Sequence, residues 1–166
     1  MVVLETSKGI IRLELTPEKT PVTVENFVRY VKDGHLDGTI FHRVVPGFVI
    51  QGGGFTEDFT EKPTREPIEN EAALGIKNVR GTISMARTRE RNSATSQFFI
   101  SLKDNDMLDY RGEHPSAWGY AAFGRVIEGM DVVDTIAAIP TVVKGPFDRP
   151  EVPSETVLIL KATVQP

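Results

Sequence analysis

Arg43 and Gln51 are polar residues set in an otherwise apolar and glycine-rich stretch, Phe41 to Phe55, which reads FHRVVPGFVIQGGGF. An arginine carries five N–H donors on a permanent charge, and a glutamine offers both a donor and an acceptor. Among apolar side chains, such a pair suits an uncharged amide better than an ion. The stretch therefore indicates a surface that binds an uncharged amide.

The same stretch predicts its own local structure. Two short apolar runs, Thr39 to Val45 and Phe48 to Gln51, flank Pro46-Gly47. Proline fixes φ and glycine admits positive φ, so this pair is a turn signal. We expect a hairpin or a sharp corner.

Side chains alternate along a strand, so Phe41, Arg43 and Val45 should share one face. His42 and Val44 should then share the other face. The arginine and the histidine are expected to serve different purposes. For His42 we expect a core or near-core position rather than a proton shuttle.

Composition limits the classes of function. The chain has 166 residues, 40% hydrophobic and 25% charged, with a net charge of -4, which predicts one domain over residues 1–166 and argues against a nucleic-acid surface. No apolar run approaches the roughly 20 residues that span a bilayer, and MVVLETSKG lacks the pattern of a signal peptide. A cytoplasmic location is expected. The absence of cysteine excludes disulfides and thiol chemistry.

Strand and helix patterns cover most of the chain. Alternation from Val2 to Leu15 around Ser7-Lys8-Gly9 predicts a hairpin. Thr20 can cap a helix that has Pro21 at its first position and ends at Gly34.

Further along, residues 56–80 lack periodicity and are expected to form an ordered surface loop. Strands are predicted at 81–86, 96–102, 120–126 and 156–163, and a second helix at 130–137. About eight strands with two helices and no β-α alternation predict a mostly antiparallel sheet closed as a barrel.

Several other motifs are read as structural. Gly52-Gly53-Gly54 matches no phosphate-binding pattern and predicts a tight bend. No two of the three histidines have ligand-like spacing, so no metal is expected, and His35 and His114 are expected to be solvated. The basic run Arg87-Thr88-Arg89-Glu90-Arg91 includes a glutamate and lies in a chain of net negative charge, so it predicts a solvated loop rather than a nucleic-acid-binding surface.

Four segments together resemble the cyclophilins, and most closely the compact bacterial cytoplasmic members. They are FHRVVPGFVIQGG at 41–53, GTISMA at 81–86, SATSQFFI at 93–100 and YAAFGRVIEGMDVVD at 120–134. The resemblance implies a closed eight-stranded antiparallel barrel capped by two α-helices. It also implies a peptidyl-prolyl cis/trans isomerase that needs no cofactor.

The resemblance carries the family's site onto this chain by motif. Arg43 is implied as catalytic and Gln51 as its partner on the substrate backbone. The substrate-binding set that the resemblance implies is Phe48, Val49, Ala86, Arg87, Gln97, Phe99, Met107, Leu108 and Tyr120.

Four positions depart from the best-known eukaryotic pattern, and three of them fall at the walls of this site. Val49 replaces a methionine, Arg87 an asparagine, Met107 a tryptophan and Tyr120 a histidine. The missing tryptophan implies weak binding of cyclosporin.

The implied function is acceleration of rotation about X-Pro bonds, with proline-containing peptides and unfolded chains as partners. A monomer is implied, with neither nucleic acid nor membrane as a partner. The alternative is a binding module that holds a proline-containing segment with little isomerase activity.

Overall fold

An eight-stranded antiparallel sheet dominates the computed structural model, which covers residues 1–166. Its strands are Val2–Thr6 (β1), Gly9–Leu15 (β2), Arg43–Val45 (β3), Val49–Gly52 (β4), Thr82–Met85 (β5), Phe98–Ser101 (β6), Ala122–Glu128 (β7) and Ile159–Val164 (β10). They lie in the order β10-β1-β2-β7-β5-β6-β4-β3. The predicted eight-stranded antiparallel architecture is confirmed.

The predicted full closure of the barrel is overstated. The edge strands β10 and β3 do not form a ladder with each other. The chain just before each of them makes contact instead, through the antiparallel bridge between Ile40 and Leu158 and a hydrogen bond from Phe41 N to Val157 O of 3.1 Å. The sheet is therefore a strongly curled half-barrel.

The helices are Pro21–Lys32 (α1) and Met130–Ala137 (α2), with a short 3₁₀ helix at Asp106–Leu108. A separate two-stranded sheet pairs Thr141–Val142 (β8) with Val152–Pro153 (β9). The α2 bounds are those predicted, whereas the 3₁₀ helix and the small sheet were not predicted. Residues 56–80 contain no named element, as expected for an ordered loop.

Helix α1 forms because its apolar residues recur on one face and pack into the sheet. Phe27 lies at its centre, with ring centroids 5.7 Å from Phe98 and 5.0 Å from Phe123. All three rings are fully buried or nearly so. Burial of one such ring stabilises the fold by about 1.5–3 kcal/mol. The helix ends before Gly34, whose φ of 74° suits the left-handed position after a helix.

The predicted cap of α1 by Thr20 is wrong. The Thr20 hydroxyl donates to Thr16 O at 3.2 Å and bonds no free N–H of the helix. The buried carboxylate of Glu71 takes that position, since it accepts from Thr23 N at 2.7 Å and Thr23 Oγ1 at 2.6 Å. A residue of the long loop thus satisfies the helix N-terminus and ties the loop to the core.

No helix of this chain is both long enough and apolar enough to cross a membrane.

Candidate active site

Strand register brings Arg43 and Gln51 together. Arg43 on β3 is the direct cross-strand partner of Gln51 on β4, and Gln51 is in turn the partner of Phe99 on β6. Neighbouring strands lie about 4.8 Å apart, so these three side chains form one row across the sheet. The fold thus makes neighbours of Arg43 and Gln51, which are 8 positions apart in sequence, and of Gln51 and Phe99, which are 48 positions apart.

The opposite face of the same strands is the core. Val44, Ile50 and Ile100 are successive cross-strand partners and are fully buried. Strict alternation therefore separates a core row from a site row within β3, β4 and β6.

The predicted face for Phe41 is wrong. Phe41 belongs to the same buried core cluster as Val44, although alternation would place it with Arg43. The cause is that β3 begins only at Arg43, so the chain at Phe41 and His42 does not follow the strand period.

A pocket of about 200 Å³ opens on the site face. Its lining residues are Arg43, Phe48, Val49, Gln51, Ala86, Arg87, Phe99, Leu108 and Tyr120. Each of these residues is in the set implied by the family resemblance. The arrangement is a mostly apolar pocket that is also lined by two guanidinium groups, those of Arg43 and Arg87, and by the amide of Gln51.

A chain of polar contacts orients the Arg43 side chain. Its Nε lies 3.2 Å from Glu151 Oε1, and its Nη1 donates to Gln51 Oε1 at 3.2 Å. Gln51 Nε2 then donates to Gln97 Oε1 at 2.9 Å. Arg43 Nη2 makes no hydrogen bond within the protein, so this end of the guanidinium is free for a ligand.

Glycine permits the close packing of Gln97 beneath this network. A Cβ on Gly54 would meet the Gln97 amide nitrogen at 2.6 Å, which is closer than real Cβ contacts allow. Gly53 has φ of 94°, in the region that favours glycine. The glycine run is thus a tight bend beside the site, as predicted.

Two predicted residues lie outside the pocket lining. Gln97 acts through its hydrogen bond to Gln51. Met107 is 55% exposed and lines a neighbouring groove. The reason is that Met107 sits on the outer side of the 3₁₀ helix, whereas Leu108 turns its side chain to the pocket.

Buried Asn78 fastens the far wall of the pocket. Its Nδ2 donates to Leu108 O at 3.2 Å and to Tyr120 O at 3.3 Å. Its backbone N donates to Asp109 Oδ1 at 2.7 Å, and its Oδ1 accepts from Ser84 Oγ at 2.6 Å. Asn78 thus holds Leu108 and Tyr120 at the site from within residues 56–80, for which the sequence predicts an ordered surface loop.

His42 is a core histidine, as predicted. It is 4% exposed and stacks on Phe147 with a centroid distance of 5.3 Å. Burial, helped by the adjacent charge of Arg43, lowers its pKa from 6.5 to about 4. The ring is neutral near pH 7 and packs against Phe55 on its other side.

His35 was expected to be solvated, and this is wrong. Its ring is half-buried against Tyr30 at 4.7 Å, and burial is the main cause that lowers its pKa, with the Lys62 charge second. His114 is exposed and contacts Ser116. No group of three or more His, Cys, Asp or Glu side chains is placed to hold a metal ion.

Glu151 is the residue of the site that sequence reasoning missed. It lies in an exposed segment just before β9, and its carbonyl accepts from Val44 N at 2.7 Å. Its side chain thereby reaches Arg43 from outside the pocket. No local pattern marks it, because its partner lies 108 positions earlier in the chain.

Comparison with known proteins defines the class of protein to which this fold and site belong. The family model described as cyclophilin type peptidyl-prolyl cis-trans isomerase/CLD matches residues 1–164. The chain belongs to this family. The predicted resemblance is confirmed.

The individual relatives include bacterial proteins of similar length. Peptidyl-prolyl cis-trans isomerase A of Dickeya dadantii is 52% identical over 163 residues, which are 98% of this chain and 83% of that protein. Peptidyl-prolyl cis-trans isomerase B of Escherichia coli is 48% identical over 164 residues, which are 99% of each.

A solved structure extends the likeness to a eukaryotic member. The cyclophilin type isomerase of Cryptosporidium parvum, crystallised in the presence of the dipeptide Ala-Pro, has a TM-score of 0.79 and 25% sequence identity. The likeness covers 99% of this chain and 98% of that chain.

Proposed function

We propose that this family member acts through residues 1–166 as one domain and accelerates rotation about X-Pro bonds in flexible or unfolded chains. The observation that carries the proposal is the Arg43 guanidinium, which is oriented by Glu151 and Gln51 at the edge of an apolar pocket and keeps Nη2 free. A proline ring suits the pocket, and its nitrogen would then lie near that free donor.

The energy required is modest because no bond has to be broken. Amide resonance imposes a barrier of about 18–20 kcal/mol, and uncatalysed rotation takes tens to hundreds of seconds. Shortening about 100 s to about 1 ms is five decades, which corresponds to about 7 kcal/mol of preferential transition-state binding. Hydrogen bonds and desolvation can supply this amount.

Arg43 is assigned the largest single share. As the C–N bond twists, the proline nitrogen becomes pyramidal and gains a lone pair, which a guanidinium N–H can meet. A charge-assisted hydrogen bond contributes about 1.5–3 kcal/mol in ordinary contexts and more where water is excluded. The bond forms only in the twisted state, so it favours the transition state over both isomers.

The remaining residues hold the substrate so that one side of the bond rotates. Phe48, Phe99 and Leu108 surround the proline ring and keep water away. Gln51, buttressed by Gln97, is placed to bond the peptide backbone beside the proline. The Ala86-Arg87 edge supports the flanking residues.

The finer features of the function are also proposals. We infer assistance to folding in the cytoplasm, a monomeric state, and partners that are proline-containing segments of unfolded chains. Cyclosporin is expected to bind weakly, because Met107 offers a flexible and exposed side chain where the family often has an indole.

Exchange NMR on an Ala-Pro peptide tests this function. Wild type is expected to accelerate cis/trans exchange, and Arg43→Ala to lose about 100-fold in rate while the peptide still binds. Arg125→Ala is the matched control, because Arg125 is an exposed arginine that pairs with Glu14 and does not line the pocket.

The alternative is tested in the same experiment. A binding module would bind the peptide without accelerating its exchange, and the enzymatic proposal would then be wrong. Equal losses in Arg43→Ala and Arg125→Ala would contradict the role assigned to Arg43.

A further inference from the structure

Arg87 carries a charge that the protein does not neutralise. Its Nε and Nη2 donate to Gly119 O at 3.0 and 2.8 Å, and Nη1 donates to Thr88 O at 2.9 Å. Its guanidinium lies 4.4 Å from the centroid of the Tyr120 ring. No carboxylate forms an ion pair with it. The side chain is therefore held in one conformation while its full positive charge has no counter-ion.

The backbone at Gly119 makes this arrangement possible. Gly119 has φ of 70°, and a Cβ there would meet Asp109 C and Tyr110 N at 2.6 Å. Its carbonyl accepts from Arg87 twice and from Asn70 Nδ2 at 3.1 Å. The guanidinium is thus fixed by a rigid turn before any ligand arrives, which lowers the entropy lost on binding.

An open groove of about 620 Å³ adjoins the proline pocket at this point. Its lining includes Arg87, Arg89, Met107, Gly119 and Tyr120. Arg87 and Tyr120 line both the groove and the pocket, so the two spaces are continuous. A peptide seated in the pocket would pass over or beside this groove.

Arg89 adds a second unpaired cation to the groove. It is exposed and forms no ion pair, and the whole chain has a net charge of -4, so this positive patch runs against the average charge of the protein. Glu90 and Glu113 line an adjoining hollow that Arg89 and Arg91 also line. Neither pairs with Arg87 or Arg89.

We infer that Arg87 and Arg89 form a subsite for an acidic side chain of the proline-containing peptide. The two guanidinium groups would hold the carboxylate of an Asp or Glu, and Met107 and Tyr120 would cover its methylene stem. An extended chain advances about 3.3 Å per residue, so an acidic residue one to three positions from the proline can reach the groove. This inference rests on the proposed function and adds a substrate preference to it.

The experiment compares matched peptides that contain Ala-Pro and carry either Glu or Gln at one, two or three positions before or after the proline. Exchange NMR gives kcat/KM for each peptide, and the measured quantity is the ratio of the Glu to the Gln value. Wild type is expected to show a ratio of about two to five at one or more positions, as for a partly exposed ion pair. The ratio should fall towards one in 0.5 M salt.

Three variants locate the effect. Arg87→Gln is expected to bring the ratio to about one, and Arg89→Gln to lower it in part. Lys161→Gln removes the same charge from an exposed position on β10 that lines neither space, and it should keep the wild-type ratio.

The results separate this inference from the proposed function. A wild-type ratio of one at every position, with both peptides accelerated, would overturn the subsite and leave the isomerase proposal intact. Acceleration of neither peptide would reject both. If Arg87→Gln lowers thermal stability but keeps the ratio, Arg87 only fastens its turn, and the subsite is wrong. An equal fall in Lys161→Gln would assign the preference to net charge and would also reject it.

Discussion

The guanidinium of Arg43 is held by the carboxylate of Glu151, with Nε and Oε1 3.2 Å apart although the residues are 108 positions apart in the chain. The segment that carries Glu151 is fastened by Phe147, which stacks on His42, the neighbour of Arg43. His42 thus anchors the segment on one face of the chain, and Arg43 on the other face binds the Glu151 carboxylate. Arg43 is thus held at Nε and Nη1, while its Nη2 makes no hydrogen bond within the protein.

Loss of Glu151 is expected to slow isomerisation through Arg43. Glu151→Ala removes the acceptor at Nε and should lower kcat/KM by about tenfold, since an oriented charge-assisted bond contributes about 1.5 kcal/mol. Glu151→Gln keeps an acceptor and should lose less. Exchange NMR gives the rates, and the ¹H–¹⁵N signal of Arg43 Nε should shift and sharpen as the side chain becomes mobile.

Glu155→Gln is the control for this prediction, because Glu155 lies in the same part of the chain and pairs with Lys8. Its rate should equal that of wild type. A faster Glu151→Gln enzyme would mean that Glu151 weakens the charge of Arg43 more than it orients the side chain, and would contradict the positioning role.

The rate should depend little on pH between about 6 and 8.5. Arginine stays protonated across this range, glutamine does not titrate, and rotation requires no proton transfer. The check is exchange NMR with one Ala-Pro peptide at constant ionic strength. A bell-shaped profile would exclude the proposed mechanism.

Stability, unlike rate, should fall in mild acid because of His42. Its pKa is about 4 when folded and 6.5 ordinarily, so the unfolded chain binds the proton more tightly. Its contribution is fully present above pH 6.5 and is lost as the pH falls towards 4. Between pH 7.5 and 5 the loss amounts to about 2 kcal/mol at 1.36 kcal/mol per tenfold change in proton affinity.

Urea denaturation across this range measures the effect. His42→Phe preserves an aromatic ring against Phe55 and Phe147 and should remove most of the loss. A smaller loss of stability in acid should persist in this variant, because the lowered pKa of His35 acts in the same direction. His114→Gln, which removes an exposed histidine, is the control and should keep the wild-type slope. Equal slopes in wild type and His42→Phe would contradict this account.

Glu71 should matter for stability and not for the reaction. Glu71→Ala leaves Thr23 N and Thr23 Oγ1 buried without an acceptor, which should lower the free energy of unfolding by about 2–3 kcal/mol. Urea denaturation measures the loss, and kcat/KM under folding conditions should stay unchanged. Glu66→Ala, an exposed carboxylate in the same loop, should alter neither quantity.

Met107→Trp should strengthen cyclosporin binding. An indole adds a large rigid surface and an N–H donor beside the pocket, whereas the exposed methionine loses conformational freedom when it is covered. Calorimetric titration of wild type and variant checks the prediction, with Leu160→Trp as a control at an exposed site on β10. Tight binding by wild type would show that the indole is not needed.

Local patterns determined most of the elements correctly. Alternation of apolar residues identified the first hairpin, and 3.6-residue spacing identified both helices, because these signals depend on neighbours within one or two turns. Part of the site could also be predicted, because Arg43 and Gln51 lie on either side of one turn and pair across it. Residues whose contacts are short in sequence were predicted well.

The errors fall where contacts are long in sequence. Glu71, and not Thr20, caps α1, and it does so by accepting from Thr23, which lies 48 positions earlier. Asn78 holds the pocket wall by donating to Tyr120, which lies 42 positions later. Phe41 faces the core because the strand begins only at Arg43, four residues after the start of the apolar run at Thr39. No periodicity encodes such contacts.

The family, the order of the main strands and helices, and the residue types that can meet an X-Pro bond all follow from the residues alone. How those residues are held follows from the folded chain, which places Glu151 against Arg43, Gln97 beneath Gln51, and Arg87 on Gly119 without a counter-ion. The physical reason is that side-chain types and their periods act locally, whereas orientation and charge balance depend on which distant segments the folded chain brings into contact.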